Sequence, residues 1–238
     1  MKRRSYFSGF VGALMAGIIL LTQSISAWAA RGDPDVSFGT LSNFTDVVSS
    51  KQMYPGAIAV QADGKLLVAG SMAQTAAPGT YILLLRRYNA NGSVDTSFGL
   101  SGFAIERILG TPYVYGYANS VAVQTDGKIV VAGGYYSSAN QLAPAIFRFT
   151  ARGELDTTFG TDGRWALPLG TGGAWNITIF KNRILALLDA DLVALRSLDG
   201  SLDTSFGAGG FAHLGIIPRA LAVNLKRDML VVGGNSIY

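Results

Sequence analysis

Residues 57–61 alternate as Ala-Ile-Ala-Val-Gln, and the pattern stops at Asp63-Gly64 before resuming as Lys-Leu-Leu-Val-Ala-Gly over 65–70. Period-two alternation on both sides of Asp-Gly predicts two antiparallel strands joined by a two-residue hairpin, whose turn positions need positive φ. Tyr81–Tyr88 is apolar at nearly every position, which predicts a strand buried on both faces. Asn91-Gly92 turns the chain, and Gly102–Ile108 reads as a fourth strand. The same order returns at 120–124, 128–133, 145–150 and 164–169. The pattern is all-β.

Two motifs recur in step. "AIAVQADGKLLVAG" (57–70) matches "SVAVQTDGKIVVAG" (120–133), with weaker copies at 176–188 and 220–234. "DPDVSFG" (33–39) returns as "GSVDTSFG" (92–99), "GELDTTFG" (153–160) and "GSLDTSFG" (200–207), with its aspartates 60, 61 and 47 residues apart. Four short strands per unit, repeated at a fixed period, predict propeller-like blades, because one such sheet cannot bury both faces without a neighbour. A β-sandwich competes, but it has no reason to repeat one loop chemistry. The expected fold is an all-β, propeller-like array of four-stranded antiparallel blades, with units near 57–108, 120–169 and 176–214 and a partial unit at 220–238. One further strand, near 41–48, comes from the N-terminal side. The closing blade lacks its buried third strand, so a shortened ring, closure by a second copy through open blade edges, or a truncated product are the expectations.

The combination "DGKxxVAG … RxNxxGxxDTSFGxxG" resembles the delta-60 repeat family of bacterial exported proteins. It also bears a looser likeness to the extracellular NHL-type blade. The first resemblance runs through nearly all of 31–238 and is sharpest in the first two units; Asp-Gly-Lys becomes Lys181-Asn182-Arg183 in the third and Lys226-Arg227-Asp228 in the fourth. It implies a β-propeller-like fold with no assigned activity.

A loop that occurs four times is expected to be architecture. Its Asp and Thr/Ser side chains suit bonds to backbone N–H groups two or three residues on. Asp35, Asp95, Asp156 and Asp203 are therefore assigned to the turn, and Phe38, Phe98, Phe159 and Phe206 to plugs between units. An arginine recurs upstream as Arg87, Arg148 and, allowing a one-residue deletion, Arg196, and each is expected to pair with the aspartate of its own unit.

The first thirty residues change the charge picture. Lys2-Arg3-Arg4 precedes an apolar run from Phe7 to Leu21 and a small-x-small close at Ala27-Trp28-Ala29, which predicts a signal peptide over 1–29 cut between Ala29 and Ala30. The run of 15 residues is short of the ~20 that span a bilayer. Arg3-Arg4 also loosely resembles a twin-arginine export signal, although Lys2 stands where a hydroxyl residue is usual. The repeat domain, 30–238, then carries 16 basic against 15 acidic residues, so the net +4 of the chain is no sign of nucleic-acid binding. A secreted or periplasmic protein with no membrane contact after cleavage is expected. With no cysteine, thiolate chemistry and disulfide support are excluded.

Little else carries chemistry. His213 stands alone in a predicted strand, and no Ser-His-Asp set can be assembled around it. Neither "DADL" (189–192) nor Asp33/Asp35 has calcium-loop spacing, and "GTGG" (170–173) and "GAGG" (207–210) lack the context of phosphate loops. No catalytic residue, metal site or cofactor is assigned. The functional candidates are aromatic: Tyr113, Tyr115 and Tyr117 in the connection between units one and two, then Tyr135, Tyr136 and Trp175. Tyr and Trp give amphipathic contact area at low entropic cost, as glycan and protein recognition surfaces require. The expectation is a non-catalytic binding or scaffold module for an extracellular glycan or protein. The alternatives are a carbohydrate-active hydrolase or lyase using a central pocket, and a fragment without independent activity. An enzyme would need carboxylates converging near the axis.

Overall fold

The computed structural model describes Phe38 and residues 53–73, 81–106, 113–224 and 229–236. The segment 1–29 with its Ala29/Ala30 cleavage point, Asp35 and the strand near 41–48 lie outside the described residues. Among the described residues every regular element is a strand. None is a helix long and apolar enough to cross a membrane.

The first unit comprises β1 (Met53–Val60), β2 (Leu66–Ala73), β3 (Tyr81–Tyr88) and β4 (Phe103–Glu106), each antiparallel to the next. The second comprises β5 (Tyr113–Val123), β6 (Ile129–Ser137), β7 (Leu142–Phe149) and β8 (Arg164–Ala166). One parallel bridge, Tyr81 to Tyr115, links the two. The third is a separate sheet of β9 (Ala174–Phe180), β10 (Arg183–Leu188), β11 (Asp191–Arg196) and β12 (Phe211–His213). A last hairpin pairs β13 (Ile216–Asn224) with β14 (Met229–Ser236). The result is an all-β structure of multi-stranded antiparallel sheets in a propeller-like arrangement, with the first strands of successive units in contact: β1 on β5, β5 on β9, β9 on β13.

The core lies between units. Leu67, Leu83 and Leu85 of the first pack with Val121, Ile129, Val131 and Phe147 of the second. Val130 and Ile146, on the other face of the second, pack with Ile177, Ile184 and Val193 of the third. Both faces of β7 are thereby dry, and the second face of β3, Ile82 and Leu84, is buried with Met72, Phe103 and Ile105 of its own unit, which explains why neither sequence alternates.

Three sequence expectations are corrected. The Asp-Gly hairpins have three-residue loops: Gly64 N–H bonds to Gln61 O at 2.9 Å, Gln61 N–H to Lys65 O at 2.8 Å, and only Gly64 has positive φ, +81°. Here a type I turn is followed by one left-handed residue, and a single glycine suffices. The connection expected to hold Tyr113, Tyr115 and Tyr117 is the first half of the 11-residue strand β5. The strand expected at 164–169 is shorter, three residues; of that expected at 102–108, residues 107 and 108 lie outside the described residues.

Candidate functional site

Each unit has two ends, and the sequence equips them differently. At one end lie the hairpins at Gly64, Gly127 and Lys181-Asn182 and the Asp-Thr/Ser-Ser/Thr-Phe-Gly loops. Asp95 Oδ1 accepts from Ser97 N (3.1 Å) and Oγ (2.6 Å), while Oδ2 accepts from Arg87 Nε (2.8 Å) and Lys65 Nζ (2.9 Å). Asp156 repeats this with Thr158 N (3.2 Å) and Oγ1 (2.6 Å), Arg148 Nε (2.8 Å) and Lys128 Nζ (3.4 Å). Burial pushes both carboxyls up, but the hydroxyl bonds and the flanking cations outweigh it and hold them below the usual carboxylate range. Every oxygen is engaged twice, which leaves these carboxylates no capacity for acid–base work.

The arginines also reach across to the next unit. Arg87 Nη1 donates to Ala151 O (2.8 Å); Arg148 Nη1 donates to Ser197 O (2.7 Å) and Leu198 O (2.9 Å). Beneath them Phe98 and Phe159, both fully buried, carry the guanidinium groups on their faces at 4.4 and 4.6 Å. Gly99 N–H and Gly160 N–H bond to Arg152 O and Asp199 O, each at 2.7 Å. The receiving turns require glycine, since a Cβ at Gly153 (φ +88°) or Gly200 (φ +75°) would sit 2.8 or 2.6 Å from the seated phenyl ring. The loop of one unit is thus clamped onto the turn of the next.

The third unit departs from the expected pairing. Asp203 is bound by Arg183 Nε at 2.5 Å, not by Arg196, whose side chain is exposed. The register gives the reason. Asp95 N–H and Asp156 N–H bond to the carbonyls of Arg87 and Arg148, whereas Asp203 N–H bonds to that of Ala194. Ala194 therefore occupies the arginine position. Arg183, in the place of Lys65 and Lys128, supplies the cation from the opposite strand. The turn from Arg196 to Ser201 is one residue longer than those from Asn89 to Ser93 and Thr150 to Glu154, so the spacing reflects an insertion rather than the expected deletion. The hydroxyl of Ser205 and the charge of Arg183 hold Asp203 down at about 2. Phe206, only half-buried, packs against the same cluster of third-unit residues as Leu221 of β13. Phe38 is half-buried too.

The opposite end is aromatic. Tyr54 opens β1, Tyr81 opens β3, Tyr115 and Tyr117 lie early in β5, and Tyr136 lies near the end of β6. Antiparallel pairing brings all of these to one edge. Tyr54 meets Tyr81 edge-on at 5.5 Å, Tyr81 meets Tyr115 at 4.5 Å, and Tyr136 meets Tyr115 at 5.7 Å and Tyr117 at 5.5 Å. Tyr115 Oη and Ser71 Oγ are hydrogen-bonded at 3.2 Å. The hydrogen bond with Tyr81 raises the Tyr54 phenol, and burial, followed by Tyr136 and Asp189, raises that of Tyr117 far above its ordinary value. Both are neutral at any physiological pH. Tyr117 is 8% exposed, and its hydroxyl is buried without a hydrogen-bond partner among the described residues.

Of the sequence candidates, Tyr115, Tyr117 and Tyr136 come together here, and Tyr113 lies at the start of the same strand. Tyr135 does not join them. Adjacent strand residues face opposite ways, and Tyr135 is 3% exposed, edge-on to Phe147 at 5.4 Å in the core. Trp175 lies at the equivalent end of the third unit, its indole N–H donating to Asp189 Oδ1. Tyr54, Tyr81 and Asp189 are members that sequence reasoning missed. Tyr54 was findable, since it precedes Asp63 by the same nine residues that separate Tyr117 from Asp126.

His213 lies in β12 with its side chain largely exposed, Nδ1 3.0 Å from Asp191 Oδ1. Among the described residues no group of three or more His, Asp or Glu side chains is placed to hold a metal ion. A family model described as a domain of unknown function (DUF5122) beta-propeller matches residues 61–98 and 124–159. The matched segments span the hairpins and clamp loops of the first two units, so part of the chain is a β-propeller-like domain. No curated protein matches the chain.

Proposed function

We propose that this chain is an exported propeller-type module of the delta-60 repeat kind, acting in binding or scaffolding and meeting a glycan or protein through its aromatic edge. The observation that carries the reading is the division between the two ends. The motif aspartates, arginines and phenylalanines are spent on joining units, while the other end offers neutral aromatic side chains, with Tyr54 39% and Trp175 40% exposed. Rigid aromatics with polar tips form the anchors of recognition surfaces. The saturation of Asp95 and Asp156 argues in the same direction, against a hydrolase built on the recurrent carboxylates.

The ring is proposed to close over β1. Ile58 and Val60 are 63% and 67% exposed, whereas their counterparts Val121 and Val123 pack in the core between the first two units. A further unit, or a second copy of the chain, would cover this face.

Capture from glycan arrays and secreted-protein mixtures tests the binding reading. The wild-type chain should retain a ligand that the Tyr54→Ala/Trp175→Ala variant loses and that Leu100→Ser, at an exposed position in a clamp loop, retains. Equal capture by all three would refute a role for the aromatic edge.

A further inference from the structure

The first strand of each unit carries a bulge at one place. Gly56, Asn119, Trp175 and Arg219 are the unpaired residues, between Pro55/Ala57, Ala118/Ser120, Ala174/Asn176 and Pro218/Ala220 respectively. A bulge re-aims one side chain out of the pleat. In the first two units that position serves assembly. Gly56 lies so close to the next unit that a Cβ would fall 2.1 Å from Ala118 O, and Asn119 Nδ2 donates to Ala174 O of the third unit at 3.0 Å.

In the third unit the bulged residue is used differently. Trp175 turns back on its own sheet: its indole N–H bonds to Asp189 Oδ1, and the ring edge beside that nitrogen lies against Gly173, where a Cβ would be 2.8 Å from Cζ2. Gly173 N–H also reaches Asp189 Oδ1, at 3.4 Å. Asp189 owes its place to the two-residue link between β10 and β11, replaced by a longer connection between β6 and β7. The ring is pinned at its nitrogen, its neighbouring edge is held against Gly173, and the side chain stays 40% exposed. Beside it stands a carboxylate with acceptor capacity left on Oδ2.

We infer that Trp175 and Asp189 form a subsite for a neutral pyranose, the indole stacking on the C–H face of the sugar and the carboxylate accepting from its hydroxyls. This rests on the binding reading above and commits it to a carbohydrate. An indole 40% exposed beside a charged carboxylate is a poor seat for the enclosed, fully desolvated anchor that protein hot spots need. A planar apolar face next to a fixed hydroxyl acceptor is what a sugar ring matches, and a purely apolar partner would cover the carboxylate without giving it a donor, at a cost. The carboxylate repels acidic sugars. Tyr136, half-buried and packed on the buried Tyr117, extends the surface toward the second unit.

The test is titration of the purified full chain with cellohexaose, xylohexaose, chitohexaose and hexagalacturonate, read by tryptophan fluorescence and calorimetry. One or more neutral saccharides should bind in about the millimolar range or tighter. Trp175→Ala should weaken binding at least ~10-fold, equivalent to about 1.4 kcal/mol, and Asp189→Asn should weaken it while relieving the exclusion of hexagalacturonate. Trp175→Phe, which keeps an aromatic face, should retain part of the affinity and guards against loss of folding in the alanine variant. Failure of all neutral saccharides to bind, or binding unchanged in both Trp175→Ala and Asp189→Asn, would overturn the inference. If the saccharides fail while Tyr54→Ala/Trp175→Ala still abolishes capture of a purified protein, only the carbohydrate assignment falls. If wild type and variant capture alike in both assays, the binding reading falls with it.

Discussion

Asp156→Ala isolates the energetics of the clamp. Its partner Arg148 is fully buried, with Nε on Asp156, Nη1 on the carbonyls of Ser197 and Leu198, Nη2 on Thr158 Oγ1 at 3.3 Å and the guanidinium over Phe159. Removing the carboxylate leaves a cation in a dry site with Lys128 nearby and no counter-charge. Breaking one side of such a pair costs about 3–5 kcal/mol. For a chain of this size that corresponds to roughly 6–20 °C in Tm. Urea and thermal unfolding should show this loss, while Glu154→Ala, at an exposed position in the same loop, should stay within about 0.5 kcal/mol of wild type. Adding Arg148→Met to Asp156→Ala should recover part of the loss, since an apolar pair of similar shape removes the stranded charge. The recovery is incomplete because the carbonyls of Ser197 and Leu198 lose their donor. If Asp156→Ala costs no more than Glu154→Ala, the aspartates do not hold the units together.

Three further outcomes follow from the same geometry. Arg183→Ala should lower Tm by several degrees while Arg196→Ala leaves it unchanged in differential scanning fluorimetry; the reverse order would restore the pairing that spacing alone suggests. Gly170→Ala, at φ +84° with nothing within 4 Å of the new Cβ, should cost about 1–2 kcal/mol of backbone strain. Gly200→Ala should cost about 1–3 kcal/mol more through overlap with Phe159; equal losses in urea titrations would contradict the seating of that ring. The folded-state pKa values of Asp95, Asp156 and Asp203 lie below the unfolded value of about 3.9. Their contribution is therefore complete above that value and is lost as pH falls through the depressed folded values. Tm should be flat from pH 7 to about pH 5 and fall below about pH 4; a decline beginning near neutrality would point to other groups.

The parts legible in the sequence were those encoded locally. Gly64 and Gly127 mark hairpins because a left-handed residue is needed there, and the unbroken apolar run of β3 marks a strand covered on both faces. The spacing from Arg87 to Asp95 and from Arg148 to Asp156 is one loop of fixed length, so those ion pairs could be read directly. Ala194 and Arg183 could not be, because the cation moved to the neighbouring strand and the turn gained a residue; only the register distinguishes that from a deletion. The aromatic edge was half-legible. Tyr115 and Tyr117 stand out in sequence and Tyr54 shares the spacing of Tyr117, but Tyr81 joins them only through pairing between distant strands. Tyr135 and Tyr136 look alike as a dipeptide and face opposite ways. Trp175 gained meaning from a bulge, which hydrophobic patterning does not report.

Native-state hydrogen exchange at Gly99 and Gly160 tests the central claim most directly, because each amide makes its bond to the turn of the following unit. If the recurrent loops exist to lock units together, both amides should be protected to the same opening free energy as Val131 in the core. Exchange as fast as that of Gly209, an exposed loop glycine with nothing near its Cβ position, would show that the loops rest on their neighbours without holding them.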